Sequence, residues 1–158
     1  MKQILYLLSA FLFLVACDKR GEKVIHIHQY NDNYFEQQLA YLDELIDDDD
    51  ENSHAYFLKA KLYRDHDEYS KALVEVQKAI KLEPNFPNYY FLQGQIFYKQ
   101  KSWKKALYVI SKAEKLGMKQ IELYELLAKI HTELQHITDA EQYINRISQL
   151  DPDNYLSL

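Results

Sequence analysis

A gap-free internal repeat is the feature that most constrains how this chain folds. Three consecutive blocks, 53–86, 87–120 and 121–154, align at a period of 34 residues without any insertion. The positions that agree carry an aromatic residue at position 4, a small residue at position 8 and alanine at position 20: Tyr56, Tyr90, Tyr124; Ala60, Gly94, Ala128; and Ala72, Ala106, Ala140. Such a fixed period indicates stacked copies of one supersecondary unit, each covering the apolar face of its neighbour.

The spacing inside each block predicts two antiparallel helices joined by a short turn. Only three glycines and three prolines occur in 158 residues, so the composition favours helices over hairpins. Small residues at positions 8, 20 and 27 allow the two helices to approach closely, and larger residues at positions 4, 11, 17 and 24 fill the space beside them. Proline at position 32 ends the repeat, because it cannot continue a helix; Met118 replaces it in the second block. Thr138 and Glu141 predict a capping box in the third block.

This pattern resembles the tetratricopeptide repeat (TPR) family over residues 53–154. The resemblance implies an all-α fold, an α-α superhelix of helix pairs whose first helices line a concave groove for a protein or peptide ligand. The chain departs from the family at position 7, where Lys59 and Gln93 replace leucine, and at position 11, where His131 replaces an aromatic residue. Some members clamp the C-terminal carboxylate of chaperones with asparagine and basic residues. Leucine at position 6 of all three blocks argues against that ligand here.

The resemblance assigns the groove to positions 2, 5, 9, 12 and 13 of each first helix. From these positions we predict eight partner-binding residues: Phe57, Lys61, Arg64, Phe91, Gln95, Tyr98, Lys99 and Lys129. The second block carries seven basic residues and one acidic residue, whereas the third carries two basic and seven acidic residues. A basic centre beside acidic ends suggests a groove that orients an extended peptide or a helix, with Phe57, Phe91 and Tyr98 as apolar anchors. In the alternative interpretation, Lys101, Lys104 and Lys105 simply solvate the convex face.

The first seventeen residues follow the plan of an export signal. Lys2 precedes an apolar run over residues 4–16 that only Ser9 interrupts, and this run is shorter than the roughly 20 residues of a spanning helix. The residues that end the run resemble the bacterial lipobox, whose cysteine receives a lipid on its thiol and becomes the new N-terminus: Leu14, Val15, Ala16 and Cys17. We therefore predict a signal peptide over 1–16, a lipid on Cys17 and a place on a membrane of the bacterial cell envelope, the outer membrane in preference to the inner. An ordinary secretory signal with a chance cysteine is the alternative.

A tether and one further helix are predicted between the anchor and the repeats. Residues 17–32 have the composition of a tether, in which Val24 to His28 alternate as a short strand would, and His26 and His28 lack a third metal ligand. Residues 33–52 carry an apolar stripe, which we interpret as the second half of a degenerate repeat, capped by Asn33 and Glu36. The acidic turn from Asp47 to Glu51 lacks the glycine of a calcium loop. Residues 155–158 form a short tail, without the polar capping helix that usually follows such repeats.

The sequence contains no motif that indicates catalysis. We find no glycine-rich phosphate loop, no serine elbow and no metal-ligand cluster, and we predict no catalytic residue, no metal and no cofactor. The net charge of −5 argues against nucleic acid as a partner. The predicted function is a membrane-anchored adaptor or assembly factor in the cell envelope. Two alternatives stay open, namely a homo-oligomeric spacer or homodimer joined through the uncapped C-terminal end, and an accessory or regulatory subunit of an envelope enzyme.

Overall fold

The part of the chain that the structure describes is entirely helical. The computed structural model describes the backbone of residues 19–152 and the side chains of residues 33–152. In this range there is no strand, and the helices are α1 (Lys19–Asp48), α2 (Ser53–Asp65), α3 (Tyr69–Leu82), α4 (Pro87–Lys99), α5 (Trp103–Lys115), α6 (Ile121–Glu133) and α7 (Ile137–Leu150). The predicted all-α fold is therefore confirmed.

The chain divides into two compact units, residues 1–40 and 41–158, and the boundary falls inside α1. In the first unit α1 begins at Lys19, so the backbone of residues 24–28 is helical and the predicted strand there was wrong. Asn33 and Glu36 lie inside α1 and do not cap it. The physical reason is that each residue added to an existing helix gains a backbone hydrogen bond, whereas an isolated five-residue strand has no neighbour to pair with.

The second unit contains the three predicted helix pairs. Helix α2 packs against α3, α4 against α5 and α6 against α7, while α3 also packs on α4 and α5 on α6. The first helices α2, α4 and α6 additionally lie beside one another. One face of this unit is therefore built from first helices alone.

Buried small residues bring the paired helices together. Ala60 and Ala72 are fully buried in the first repeat, and Ala106 is fully buried in the second. At Gly94 a β-carbon would lie 2.3 Å from Cγ1 of Ile110, so no larger residue fits against α5 without a shift of that side chain. These contacts confirm the predicted role of positions 8 and 20.

An ion pair fastens the last part of α1 to the first repeat. Asp43 pairs with Lys59 of α2, and Ile46 packs against the buried cluster around Tyr56 and Val76. Burial opposes the charge on Lys59, but the hydrogen bond that Lys59 donates to Asp43 and the negative charge of Glu75 together outweigh burial and raise the pKa of Lys59. This pairing explains a lysine where related repeats carry leucine, because α1 supplies its counter-charge.

The turn inside each repeat uses a left-handed residue at position 15. Asp67, Lys101 and Gln135 have φ values of 60°, 56° and 61°. The next backbone N–H then donates to a carbonyl five residues earlier, as in a Schellman motif: Glu68 to Tyr63 at 2.9 Å, Ser102 to Phe97 at 2.9 Å and His136 to His131 at 2.8 Å. All three repeats therefore turn in the same way, although glycine, the residue best suited to this conformation, is absent from position 15.

Helix ends differ from the sequence prediction at two places. Between the second and third repeats Gly117 adopts a φ of 96° and the buried Met118 donates its N–H to Ala113, so a glycine ends this repeat instead of a proline. Helix α7 begins at Ile137 after His136 with no side-chain cap, and the capping box of Thr138 and Glu141 was wrong. Thr138 lies one residue inside the helix, where its side chain cannot reach the first N–H groups as a cap does.

Candidate peptide-binding groove

The first helices of the three repeats border a groove of about 550 Å³. Nine of its ten lining residues occupy positions 2, 5, 9, 12 or 13 of their repeat, because these positions follow one face of a helix. The lining residues are Arg64, Asp65, Phe91, Gln95, Tyr98, Lys99, Glu122, Glu125, Leu126 and Lys129. Six of the eight predicted partner-binding residues are thus brought together here: Arg64, Phe91, Gln95, Tyr98, Lys99 and Lys129.

The structure does not bring Phe57 and Lys61 into this groove. The ring of Phe57 is half-buried and packs on Tyr89 with their centroids 5.1 Å apart, and Lys61 Nζ lies 5.8 Å from the centroid of the Phe57 ring. Tyr89 comes from the start of the second repeat, so stacking the repeats covers position 5 of the first. Phe57 therefore contributes to packing between the first two repeats.

Arg64 lies at the end of α2 with its guanidinium held in place by two neighbours. Its Nη1 donates to Gln95 Oε1 at 2.5 Å, and its Nη2 lies 2.7 Å from Asp65 Oδ1. The side chain is only 20% exposed, which shows that it forms part of the groove wall. Because Asp65 offsets its charge, Arg64 contributes a positioned donor more than a net positive field.

The groove is close to neutral in charge. Its three basic side chains face three acidic ones, and Lys129 lies 3.6 Å from Glu125. Of the seven basic residues in the second repeat, only Lys99 lines the groove, while others lie over aromatic rings outside it, such as Lys112 at 4.2 Å from the Tyr90 centroid. Among the described residues Lys99 makes no ion pair, so it is the groove cation best able to meet a ligand carboxylate.

A second pocket of about 390 Å³ extends the groove toward α7. Tyr98, Glu125 and Lys129 line both pockets, and the second adds apolar surface from Ile144 and Ile147. Tyr98 is braced by Trp103, with ring centroids 4.9 Å apart. The two isoleucines were not predicted, because the groove positions implied by the family resemblance all lie on first helices. The sequence signal for them is the apolar residue at positions 24 and 27.

Two other polar clusters lie outside the groove. Tyr89 shares the Glu83 carboxylate with Ser53, and its pKa is raised chiefly by burial. Burial and the nearby Glu114 carboxylate raise the pKa of Tyr143 to about 12, so its hydroxyl stays protonated. Both clusters join neighbouring helices.

One group in the described part of the chain has the residue types and spacing of a metal site. It consists of His131, His136 and Asp139 at the turn between α6 and α7, and none of the three lines either pocket of the groove.

The family profile described as anaphase-promoting complex, cyclosome, subunit 3 matches residues 65–147, which is more than half of the chain. The chain belongs to this family of TPR proteins. The matched segment begins at the end of α2 and includes α3, the whole second repeat and most of the third. The anaphase-promoting complex in this description belongs to the subunit after which the family is named, and the match assigns no complex to this chain.

Solved TPR structures share the fold. YrrB, a TPR protein with an unusual peptide-binding site, is 23% identical with a TM-score of 0.67 over 70% of this chain and 57% of its own. MamA is 14% identical with a TM-score of 0.70 over 87% of this chain and 77% of its own. The first TPR of Spaghetti (RPAP3), bound to the HSP90 peptide SRMEEVD, is 18% identical with a TM-score of 0.62 over 65% of this chain and 82% of its own. The chain therefore spans just over half the length of YrrB.

No curated protein sequence matches the chain at a significant level. The structural likenesses are at identities below 25%, so they establish the TPR fold and its helix arrangement. They carry no assignment of a particular ligand.

The predicted anchor lies outside the described residues, as do Cys17, the signal peptide over 1–16 and the tail over 155–158. Within the described residues, none of the helices combines the length and the apolar character needed to cross a membrane.

Proposed function

We propose that this chain is a non-enzymatic adaptor, tethered to a membrane of the bacterial cell envelope by a lipid on Cys17, which binds an extended segment of a partner protein. The observation that carries the proposal is the groove that continues from Arg64 through Tyr98 to Ile147. TPR folds are generally protein-interaction scaffolds. Among the similar structures, YrrB is described as having a peptide-binding site, and the first TPR of Spaghetti is bound to a peptide.

The chemistry of the groove suggests what the partner segment carries. Phe91 and Tyr98 offer half-buried aromatic surface, which favours an apolar side chain of the ligand, and Lys99 favours a carboxylate beside it. The paired charges of Glu125 and Lys129 reject a strongly charged segment of either sign. A short peptide with one apolar and one acidic residue fits these three features.

Photocrosslinking tests the groove directly. A photoreactive amino acid at Gln95 should capture the partner in intact cells, whereas the same residue at Tyr108, which is 77% exposed on α5 outside the groove, should not. Equal capture from both positions would contradict the groove as the binding site. An adduct with an enzyme would identify the chain as an accessory subunit.

Substitutions test the contribution of each groove residue. We expect Tyr98→Ala to reduce partner recovery at least tenfold, as the loss of about 1.4 kcal/mol or more at a binding hot spot does. Lys99→Glu should act similarly without affecting packing, because this side chain is exposed. Tyr108→Ala is the matched control. Undiminished recovery by both groove variants would overturn the proposal.

The anchor has a separate test. Labelled palmitate should enter the wild-type chain and not Cys17→Ser, and only the wild type should sediment with membranes. A Cys17→Ser variant that remains in the membrane fraction would contradict lipid anchoring while leaving the groove proposal intact.

A homo-oligomeric spacer is the second candidate, since α7 leaves apolar side chains exposed. Ile137 and Leu150 are 53% and 52% exposed, and no other helix of the described residues covers them. Light scattering of the purified protein over a hundredfold range of concentration distinguishes the two functions. A monomer throughout excludes the spacer, and a dimer that Leu150→Glu dissociates supports it.

A further inference from the structure

The turn between α6 and α7 brings three metal-ligating side chains together. His131 lies near the end of α6, His136 precedes the first residue of α7, and Asp139 lies in the first turn of α7. The Schellman hydrogen bond from the His136 N–H to the His131 carbonyl closes this turn at 2.8 Å. As a result, one ligating atom from each of the three side chains lies within 4.8 Å of the other two.

The Nδ1 atom of His131 is buried and lacks a hydrogen-bond partner within the described residues. Its side chain is only 10% exposed, and Asp139 Oδ2 lies 3.5 Å from Nδ1, which is too long for an N–H···O bond. Buried ring nitrogens almost always have a partner, so this atom requires a partner that the described residues do not supply.

One of the distances between ligating atoms already matches the spacing around a tetrahedral metal. With metal–ligand bonds of about 2.0–2.2 Å, neighbouring ligand atoms lie roughly 3.3–3.6 Å apart. His131 Nδ1 is already 3.5 Å from Asp139 Oδ2, and His136 Nδ1 is 4.0 Å from the same oxygen. The side chains of His136 and Asp139 are half-exposed, so small rotations bring them into range without disturbing the core.

We propose that His131, His136 and Asp139 bind a divalent transition metal, with Zn²⁺ as the best fit, and that the metal ties α7 to α6. Two imidazoles and one carboxylate suit Zn²⁺, Ni²⁺ or Cu²⁺, whereas Ca²⁺ and Mg²⁺ require more oxygen ligands. Three protein ligands leave a fourth position to water on the exposed side.

A further structural feature favours this site. Helix α7 buries only Ala140, whereas α3 and α5 each bury four residues. Its remaining contacts include the hydrogen bonds of Tyr143 and Arg146 with Glu114. A bound metal would hold α7 against α6, as the packing of buried side chains holds the paired helices of the first two repeats together.

Zinc titration of the full-length protein, stripped of metal with a chelator and purified in detergent, tests the proposal. Calorimetry should give one Zn²⁺ per chain and no comparable heat with Ca²⁺. We expect Asp139→Asn and His136→Gln each to weaken Zn²⁺ binding at least tenfold, and both side chains are exposed enough for the fold to tolerate the change.

Two control variants separate this site from other histidines. His66→Gln removes an exposed histidine of the first repeat, and the double variant His26→Gln/His28→Gln removes the pair in the predicted tether. Both should keep wild-type affinity. Loss of binding in the tether variant alone, or unchanged affinity in Asp139→Asn and His136→Gln, would overturn the proposal.

Hydrogen exchange supplies a second readout. Saturating Zn²⁺ should slow amide exchange in α7 of the wild type and leave the rates in the His136→Gln variant unchanged. Zinc that binds without slowing exchange in α7 would contradict the role of the metal in fixing this helix.

Discussion

The side chain of Ile110 occupies the space that a β-carbon on Gly94 would need. Both Cγ1 and Cδ1 of Ile110 lie 2.3 Å from that point, and Cγ2 of Val109 lies 3.3 Å from it. Ile110 is fully buried, so it has little room to move. Glycine at position 8 of the second repeat is therefore a packing requirement, since helix propensity alone would favour alanine there.

We accordingly predict that Gly94→Ala destabilises the protein. Overpacking costs about 1–3 kcal/mol, and an approach of 2.3 Å lies in the upper part of that range, about 2–3 kcal/mol. The better helix propensity of alanine offsets about 1 kcal/mol, so urea denaturation should show a net loss of about 1–2 kcal/mol. Combining it with Ile110→Ala should cost less than the sum of the two single changes, because the second removes the clash. A Gly94→Ala variant as stable as the wild type would refute this account.

Glycine at the turn of the second repeat should stabilise the protein. Lys101 holds a φ of 56°, which costs a residue with a β-carbon about 1 kcal/mol and costs glycine much less. We expect Lys101→Gly to raise the midpoint of urea denaturation. Gln77→Gly, at an exposed helical position in α3, serves as the control and should lower it by a similar free energy. Two variants that lower stability equally would contradict the argument from backbone conformation.

The pair of Lys59 and Asp43 should hold the end of α1 on the first repeat. Asp43→Asn leaves the 13%-exposed lysine without its counter-charge and should cost about 1 kcal/mol, a value kept small because Asp43 itself is half-exposed. Because the pKa of Lys59 is raised above 10.5 in the folded protein, the ion pair contributes its full stabilisation at pH 7. This stabilisation is lost as the pH rises above 10.5 and Lys59 loses its proton. In a Lys59→Met background Asp43→Asn should have no effect. An equal effect in both backgrounds would exclude the pair as the cause.

Burial of His131 should make stability depend on pH in metal-free buffer. Its pKa lies below 6.5 in the folded protein, so the unfolded chain binds a proton first as the pH falls. Stability should therefore decrease from pH 7 to pH 5, by up to about 1.4 kcal/mol per pH unit. His131→Tyr should flatten this slope, and His66→Gln should not. An unchanged slope in His131→Tyr would show that other groups control the acid sensitivity.

The groove was largely predictable because it follows from helix geometry. Arg64, Phe91, Gln95, Tyr98, Lys99 and Lys129 were identified by their positions, and the side chains of one helical face stay together in any packing of the repeats. Phe57 was predicted on the same rule but contacts Tyr89, because its environment depends on how the second repeat stacks on the first. The near-neutral charge of the groove was not predictable from counts per block, since most lysines of the second block point elsewhere.

The sequence by itself determined the number of repeats, their register and the small residues that pack at positions 8 and 20, because a 34-residue period records these contacts along the chain. Only the tertiary structure decided which groups from separate helices meet. Three contacts depend on distances across a turn or between helices. They are the ion pair of Asp43 with Lys59, the close approach of Ile110 to Gly94, and the approach of His131 to Asp139. Residue spacing sets the face on which a side chain lies, whereas its partners are set by how closely the helices approach.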